Sequence, residues 1–376
     1  MGYIKEIIPK IIRYRLFSLG FSTPGTPLNL TFSVTNLCQS RCKTCSIWKL
    51  YRDNPSKRDE ELTIDEIEKI FKSMGHTYLF NISGGEPFLR KDLSQIIELA
   101  CRYLTPAIIH IPTNAIAVDT VEKETRKILD IIKNIKPEIQ LTIKPSLDHA
   151  GERHDYIRGV EGNYKKVAEA FRRLKGMKKE NSNLHVELGT VISSWNVNDI
   201  EEISHFAMSM EPDSYRNEIA EKRSEMFNME DPITPGIESY KKAIDLFIRE
   251  IDGRKKSLSF FQRINNAFRL VYYHLAIRIM EENRHVIPCY AGISNAHMSP
   301  YGDIWPCCTL GYDKSMGNLR DHNYDFGSLW NSPDADKVRR YIKDKNCSCP
   351  LANQTYSNIL MHLPSLTRVM RHLFYK

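Results

Sequence analysis

The nine cysteines of this chain are grouped rather than spread. Cys38, Cys42 and Cys45 stand in Cys38-Gln39-Ser40-Arg41-Cys42-Lys43-Thr44-Cys45, spaced C-x3-C-x2-C, just after a β-like run from Leu28 to Val34. Thiolates at such short intervals let one loop wrap a single iron–sulfur cube. Three ligands on a four-iron cube leave one iron open to something else. Taken alone, the triplet leaves three other readings open. Zinc sites usually combine C-x2-C pairs with further Cys or His. A ferredoxin-type run carries a fourth nearby cysteine, whereas the next one here is Cys101. Buried structural thiols are the third option.

A second motif narrows the choice. The strand-like Tyr78–Ser83 ends in Ser83-Gly84-Gly85-Glu86-Pro87, where adjacent glycines permit unusual backbone angles and close approach of a ligand. The cysteine triplet followed by GGEP, in this order and spacing, resembles the radical S-adenosylmethionine (SAM) superfamily. By that resemblance Cys38, Cys42 and Cys45 hold a 4Fe–4S cluster whose open iron takes the amino and carboxylate groups of SAM. Gly84, Gly85, Glu86 and Pro87 would hold the SAM amino group. Pro112-Thr113-Asn114-Ala115 resembles the family's TNG, with Ala115 for Gly, and makes Asn114 a candidate SAM contact. Ser146-Leu147-Asp148-His149 resembles SLDG, with His149 for Gly, and His154 to Gly159 resembles H-D-x-I-R-G. Ser146 and Arg158 would then bind the SAM carboxylate and ribose, arginine because its planar fork donates two parallel hydrogen bonds. Ser146 and Asp148 also suit ordinary helix N-caps.

A second cysteine group begins at Cys289. Cys289, Gly302 and Cys307 give C-x12-G-x4-C, with Cys308 directly after and Cys347-Ser348-Cys349 later. Gly302 suits the tight turn of a hairpin leading to Cys307. This resembles the SPASM/Twitch extension of radical SAM enzymes, as do Gly317-Asn318-Leu319 and Ser328-Leu329-Trp330. The resemblance implies one auxiliary 4Fe–4S cluster on Cys289, Cys307, Cys347 and Cys349, with Cys308 able to replace one of them. A zinc site on the same thiols is the alternative. Cys101, alone in a helix, reads as packing.

The elements that position these groups follow from periodicity. From residue 28 the chain alternates strand-like and helix-like segments, which is the signature of an α/β fold with a parallel sheet. Strands are expected at Leu28–Val34, Tyr78–Ser83, Ile108–Thr113, Ile139–Ser146, His185–Ile192 and Asp213–Ile219. Helices are expected at Ile64–Met74, Lys91–Arg102, Thr120–Ile135, Tyr164–Met177 and Asp199–Met210. The expected fold is a partial (β/α)6 barrel, TIM-like, with reactive groups at the carboxyl ends of the strands. Its expected divisions are residues 1–27 as a basic amphipathic lead-in, 28–231 as the barrel and 232–286 as a helical linker. Residues 287–350 form a small cysteine-rich iron–sulfur domain and 351–376 a basic amphipathic tail. Arg216, Glu218, Glu221 and Arg223 either line the barrel cavity or form an exposed ion-pair row. Phe260 to Met280 reads as a helix packed between domains, with a lipid-facing wall as the lesser reading.

Composition bounds the rest. A hydrophobic fraction of 41% and a charged fraction of 26% belong to a soluble globular protein. The net charge of +7 is spread without a nucleic-acid-binding stripe. Grouped cysteines without a signal peptide point to a reducing cytoplasm and metal ligation. The two basic amphipathic ends admit a peripheral membrane contact. The resemblance carried by the two cysteine groups and GGEP implies a radical SAM enzyme, an oxidoreductase or transferase. By resemblance, SAM would be cleaved by one electron from an external donor to a 5′-deoxyadenosyl radical that takes hydrogen from substrate. The short lead-in favours a small molecule, sugar or lipid over a peptide. A peptide-modifying SPASM maturase and a non-catalytic two-cluster electron carrier are the rivals.

Overall fold

The computed structural model describes residues 2–254 and 260–374. Six parallel strands lie in sequential order: β1 (Asn29–Ser33), β2 (Leu79–Ser83), β3 (Ile108–Thr113), β4 (Gln140–Pro145), β5 (Leu184–Ile192) and β6 (Ser214–Ile219). Helix α1 (Gly2–Ser18) precedes them, and the short α2 (Lys49–Asp53) follows the cluster loop. Crossovers are made by α3 (Ile64–Met74), α4 (Leu93–Leu99), α5 (Val118–Ile135), α6 (Gly151–Arg158) with α7 (Asn163–Met177), and α8 (Ile200–Ser209). These coincide with the expected elements to within a few residues at each end, save that α4 begins late and runs into a π-turn over Ala100–Leu104. Cys101 is buried in that turn, as a packing residue.

Two faces of each strand explain the barrel. Apolar residues point outward onto the helices: Phe32 and Phe80 meet Phe71 of α3 edge-on at 6.3 and 5.6 Å. Alternate positions carry polar groups that join across the inner face. Asn81 donates to Thr31 Oγ1 at 3.3 Å and its Oδ1 meets His110 Nδ1 at 2.6 Å. Helix α3 starts in a capping box, with Thr63 and Glu66 satisfying each other's backbone N–H. It buries Ile67, Ile70, Phe71 and Met74 at helical spacing.

The sheet does not stop at β1. A seventh strand, β7 (Asn295–Met298), pairs parallel with β1, and β8 (Asp303–Trp305) and β9 (Gly317–Asn318) continue antiparallel. Gly302, at φ +93°, makes the expected hairpin turn between β7 and β8. The cysteine-rich segment thus joins its strands to the barrel sheet through the β1 edge. Helices α9 (Ile237–Arg254) and α10 (Phe260–Glu282) cover the β6 side, where Tyr273 of α10 donates to Asn217 Oδ1 at 2.5 Å. The packed-helix reading of residues 260–280 therefore holds.

After β9 come α11 (Phe326–Trp330), α12 (Pro333–Lys343), α13 (Ala352–Met361) and α14 (Leu363–Phe374). Both chain ends turn an apolar face onto the protein: Tyr14 of α1 is buried against Leu28, Tyr290, Ile293 and Met361, and α14 buries Val369 and Leu373. Among the described residues no helix is long and apolar enough to cross a membrane. Part of each stripe stays outside that packing, with Ile8, Ile12 and Leu16 of α1 and Leu363, Met370 and Phe374 of α14 exposed.

Candidate active site and auxiliary metal centre

The cluster loop leaves the carboxyl end of β1 and is clamped by backbone from three sides. Gly85 and Glu86 donate their N–H groups to Thr35 and Leu37 carbonyls, both at 2.8 Å. Arg41 and Lys43 donate to the carbonyls of Arg158 and Ile157 at 3.0 and 2.9 Å. Asn228 Nδ2 donates to the Thr44 carbonyl at 2.8 Å. The glycines are needed for this contact. A Cβ on Gly84, Gly85 or Gly159 would stand 2.2–2.3 Å from the carbonyl oxygens of Thr35, Leu37 and Arg41 respectively. Gly84 and Gly159 also have positive φ, which L side chains avoid.

Glu86 is buried, and both its oxygens are engaged. It accepts from Thr113 Oγ1 at 2.9 Å, from Asn114 N–H at 2.6 Å and from Phe88 N–H at 3.2 Å. Burial pushes its carboxyl up to about 7, against those hydrogen bonds. Its place is a brace between the β2 and β3 turns, with Pro87 opening the 3-10 turn behind it. Asn114, at the tip of the β3 turn, lies with Nδ2 3.7 Å from Cys38 Sγ. Ala115 keeps φ +58°, the left-handed backbone for which the family uses glycine, at a cost of about 1–2 kcal/mol. His149 sits at negative φ, so the second missing glycine is not required.

Arg158 also faces the cluster loop. Its Nε lies 2.7 Å from Asp148 Oδ2 and its Nη1 3.8 Å from Cys42 Sγ, so it is already engaged on two sides. Behind it His154 accepts from the Asp148 N–H at Nδ1 (3.2 Å) and donates from Nε2 to Asn163 Oδ1 (3.1 Å). Asn163 in turn donates to the Asn114 carbonyl at 2.9 Å. One buried chain therefore ties the β3 and β4 turns to the thiols. Ser146 is partly exposed at the end of β4 and donates its N–H to the Thr113 carbonyl.

The donor set suits an iron cluster. Burial and the neighbouring Cys42 push the Cys38 thiol up to about 12, and burial with Cys42 raises Cys45 as well. Buried thiols that hinder one another's ionisation are what a bound cationic centre stabilises as thiolates.

Below the loop, charged side chains face the hollow of the barrel. Arg216 makes a two-pronged pair with Glu187 at 2.6 and 3.0 Å, and Lys144 stands 3.8 Å from Glu218. The Arg216 side chain keeps 43% exposure within this pair, while Glu187 is buried. Glu221 is buried and pairs with the half-buried Arg223 at 3.1 Å, so the 216–223 group is not an exposed ion-pair row. Lys144, Glu187 and His110 were missed in the sequence, although their alternation with apolar neighbours was a usable signal.

The second cysteine group also converges. Cys289, Cys307, Cys347 and Cys349 line one cavity together with His285, whose Nε2 lies 3.5 Å from Cys347 Sγ. Burial raises the Cys307 thiol, and the other three sulfurs add to it. Cys308 is absent from that lining and faces Arg223 and Glu225 instead. His285, four residues before Cys289, was not singled out by any motif.

Comparison with known proteins agrees with this geometry. Residues 32–207 match the radical SAM superfamily, and residues 289–350 match the iron–sulfur cluster-binding domain called SPASM. The antilisterial bacteriocin subtilosin biosynthesis protein AlbA of Bacillus subtilis is 21% identical over 329 residues, covering 87% of this chain. The chain spans 64% of that relative's length. Among solved structures, anSMEcpe with bound AdoMet (SAM) superposes with a TM-score of 0.57 at 14% identity, covering 93% of this chain and 97% of the other. SuiB of Streptococcus suis bound to its precursor peptide SuiA gives 0.56 at 16%, covering 84% and 67%.

Proposed function

Since the chain belongs to the radical SAM superfamily and carries a SPASM domain, we propose that it modifies a peptide substrate. The superfamily uses SAM and a 4Fe–4S cluster, and the SPASM domain binds auxiliary iron–sulfur clusters, so a plain electron carrier is set aside. When bound, these groups supply the electron and the 5′-deoxyadenosyl radical that removes hydrogen from substrate. In this reading Cys38, Cys42 and Cys45 hold the SAM-binding cluster. Asn114 and Arg158 aim N–H groups at its sulfurs, and Glu86 keeps the β2 and β3 turns in register. Cys289, Cys307, Cys347 and Cys349 hold one auxiliary cluster.

The peptide reading replaces the small molecule, sugar or lipid expected from the short lead-in. The observation that carries it is the rim of the barrel mouth. Tyr156 and Trp195 are 59% and 36% exposed and pack edge-on at 6.3 Å, with Lys43 of the cluster loop 4.0 Å over the Tyr156 ring. Phe227 stacks on Tyr312 at 5.7 Å, both partly exposed. Exposed aromatic groups around a polar hollow suit an extended chain whose reacting residue enters while its flanks lie on the rim. The names of AlbA, tied to a bacteriocin, and of the SuiB complex, solved with a precursor peptide, support the same class.

The test is anaerobic turnover with dithionite, SAM and candidate precursor peptides, read by mass spectrometry of the peptide and by 5′-deoxyadenosine. Peptide-dependent nucleoside formation with a mass change supports the reading. Nucleoside stimulated by lipid or sugar extracts and by no peptide would overturn it.

A further inference from the structure

Cys308 is unused by the proposed auxiliary cluster, and it does not stand alone. One ligand atom each from Glu225, His297 and Cys308 lie within 4.8 Å of one another. Glu225 and His297 are buried, with His297 Nε2 3.2 Å from Glu225 Oε1. The Ser33 hydroxyl touches both, at 2.7 Å from Glu225 Oε1 and 2.8 Å from His297 Nε2. These groups come from four separate places: Ser33 ends β1, Glu225 follows β6, His297 is in β7 and Cys308 follows β8. We propose that Glu225, His297 and Cys308 form a third, mononuclear metal site for a zinc-class divalent ion, with Ser33 Oγ beside the fourth position.

The chemistry of the donors argues for this class of ion. One thiolate, one imidazole and one carboxylate make a mixed S/N/O set that suits zinc, and a single sulfur cannot hold an iron–sulfur cube. Ligands about 2.0–2.3 Å from a tetrahedral ion stand roughly 3.3–3.8 Å apart, close to the His297–Glu225 spacing. Charge agrees. Arg223 faces the thiol but is paired with Glu221 at 3.1 Å, and Lys144 is drawn to Glu218. Beside the buried Glu225 carboxylate stand His297 Nε2, the Ser33 hydroxyl and, farther off, Arg223, and a divalent ion would balance its charge. Such an ion would tie β1 and β7 to the segments that follow β6 and β8. It also holds Cys308 away from the cavity lined by its neighbour Cys307.

The experiment uses anaerobically purified, iron-loaded full-length protein, equilibrated with micromolar zinc sulfate and then desalted. Zinc and iron are counted by plasma mass spectrometry, and the zinc environment is read by X-ray absorption. The expected result is about one zinc per chain, with one sulfur at about 2.3 Å and the remaining ligands nitrogen or oxygen. His297→Gln and Cys308→Ser should each lose at least about fivefold of that zinc while iron stays constant. Zinc below about 0.2 per chain would overturn the proposal, as would zinc with four sulfurs, zinc kept in both variants, or iron lost on Cys308→Ser. If the variants fail to fold, the wild-type spectrum decides, since one sulfur supports the site and none or four refutes it.

Discussion

The Arg158 guanidinium bridges Asp148 and Cys42, 2.7 Å from a carboxylate oxygen and 3.8 Å from a sulfur. Its own carbonyl accepts the Arg41 N–H, so one residue binds the cluster loop by both main chain and side chain. The contact sets a cation against one thiol of the cysteine triplet.

Arg158→Gln should leave the buried Asp148 carboxylate unpaired, at a cost of about 3–5 kcal/mol. Arg158→Lys keeps the charge but not the fork, and stability should then fall less. In both variants SAM cleavage should drop by at least about tenfold, because the thiolate loses its hydrogen bond. Urea unfolding and the rate of 5′-deoxyadenosine formation check the two halves. Wild-type cleavage in Arg158→Lys would count against the arrangement.

Gly85→Ala and Gly159→Ala test the backbone clamp. Each methyl would meet a carbonyl oxygen at 2.3 Å, a distance that only backbone movement relieves. Both variants should bind less iron at the first cluster and unfold several degrees lower, with Gly159→Ala the worse because its φ is +66°. Normal iron and an unchanged melting temperature would contradict the close packing.

Serine substitutions should separate the cysteines into groups. Loss of any one of Cys289, Cys307, Cys347 or Cys349 should lower iron from about eight toward about four per chain. The 5′-deoxyadenosine assay reports separately on the Cys38 cluster. Iron near four already in the wild type would demote the second group.

His285 should set the potential of the auxiliary cluster. A ring N–H directed at Cys347 Sγ stabilises the more negative, reduced state, so His285→Ala should move the midpoint to more negative values without loss of iron. His285→Gln, which retains an N–H donor, should restore part of the shift. Redox titration followed by electron paramagnetic resonance reads both.

His154 makes stability depend on pH. Burial, with help from Arg158, brings its pKa down from 6.5 to about 4. Between those values the unfolded chain binds more protons than the folded one, so stability rises with pH across this window and is fully present above it. The amount is of order 3 kcal/mol between pH 4 and 6.5. His154→Asn should be less stable at pH 7 yet show a flatter slope from pH 6.5 to 4. An unchanged slope in that variant would assign the acid sensitivity elsewhere.

The sequence by itself determined the six barrel strands, their helices and both cysteine groups. Hydrophobic period and short-range spacing are local properties, and those elements depend on little else. Cys38, Cys42 and Cys45 must share a loop because so few residues separate them. Tertiary structure alone decided how distant side chains are used. Cys307 and Cys308 are equal as letters, and only the direction of the chain after β8 sends one to the four-thiol cavity and the other to Glu225 and His297. Glu86 is legible as a motif residue, but only the fold supplies the Thr113 O–H and Asn114 N–H that it accepts from. The seventh strand was hidden because Asn295-Ala296-His297-Met298 is short and polar, and it forms only where the β1 edge waits to be paired. Pairing across more than 260 residues is set by the finished sheet, which no local pattern encodes.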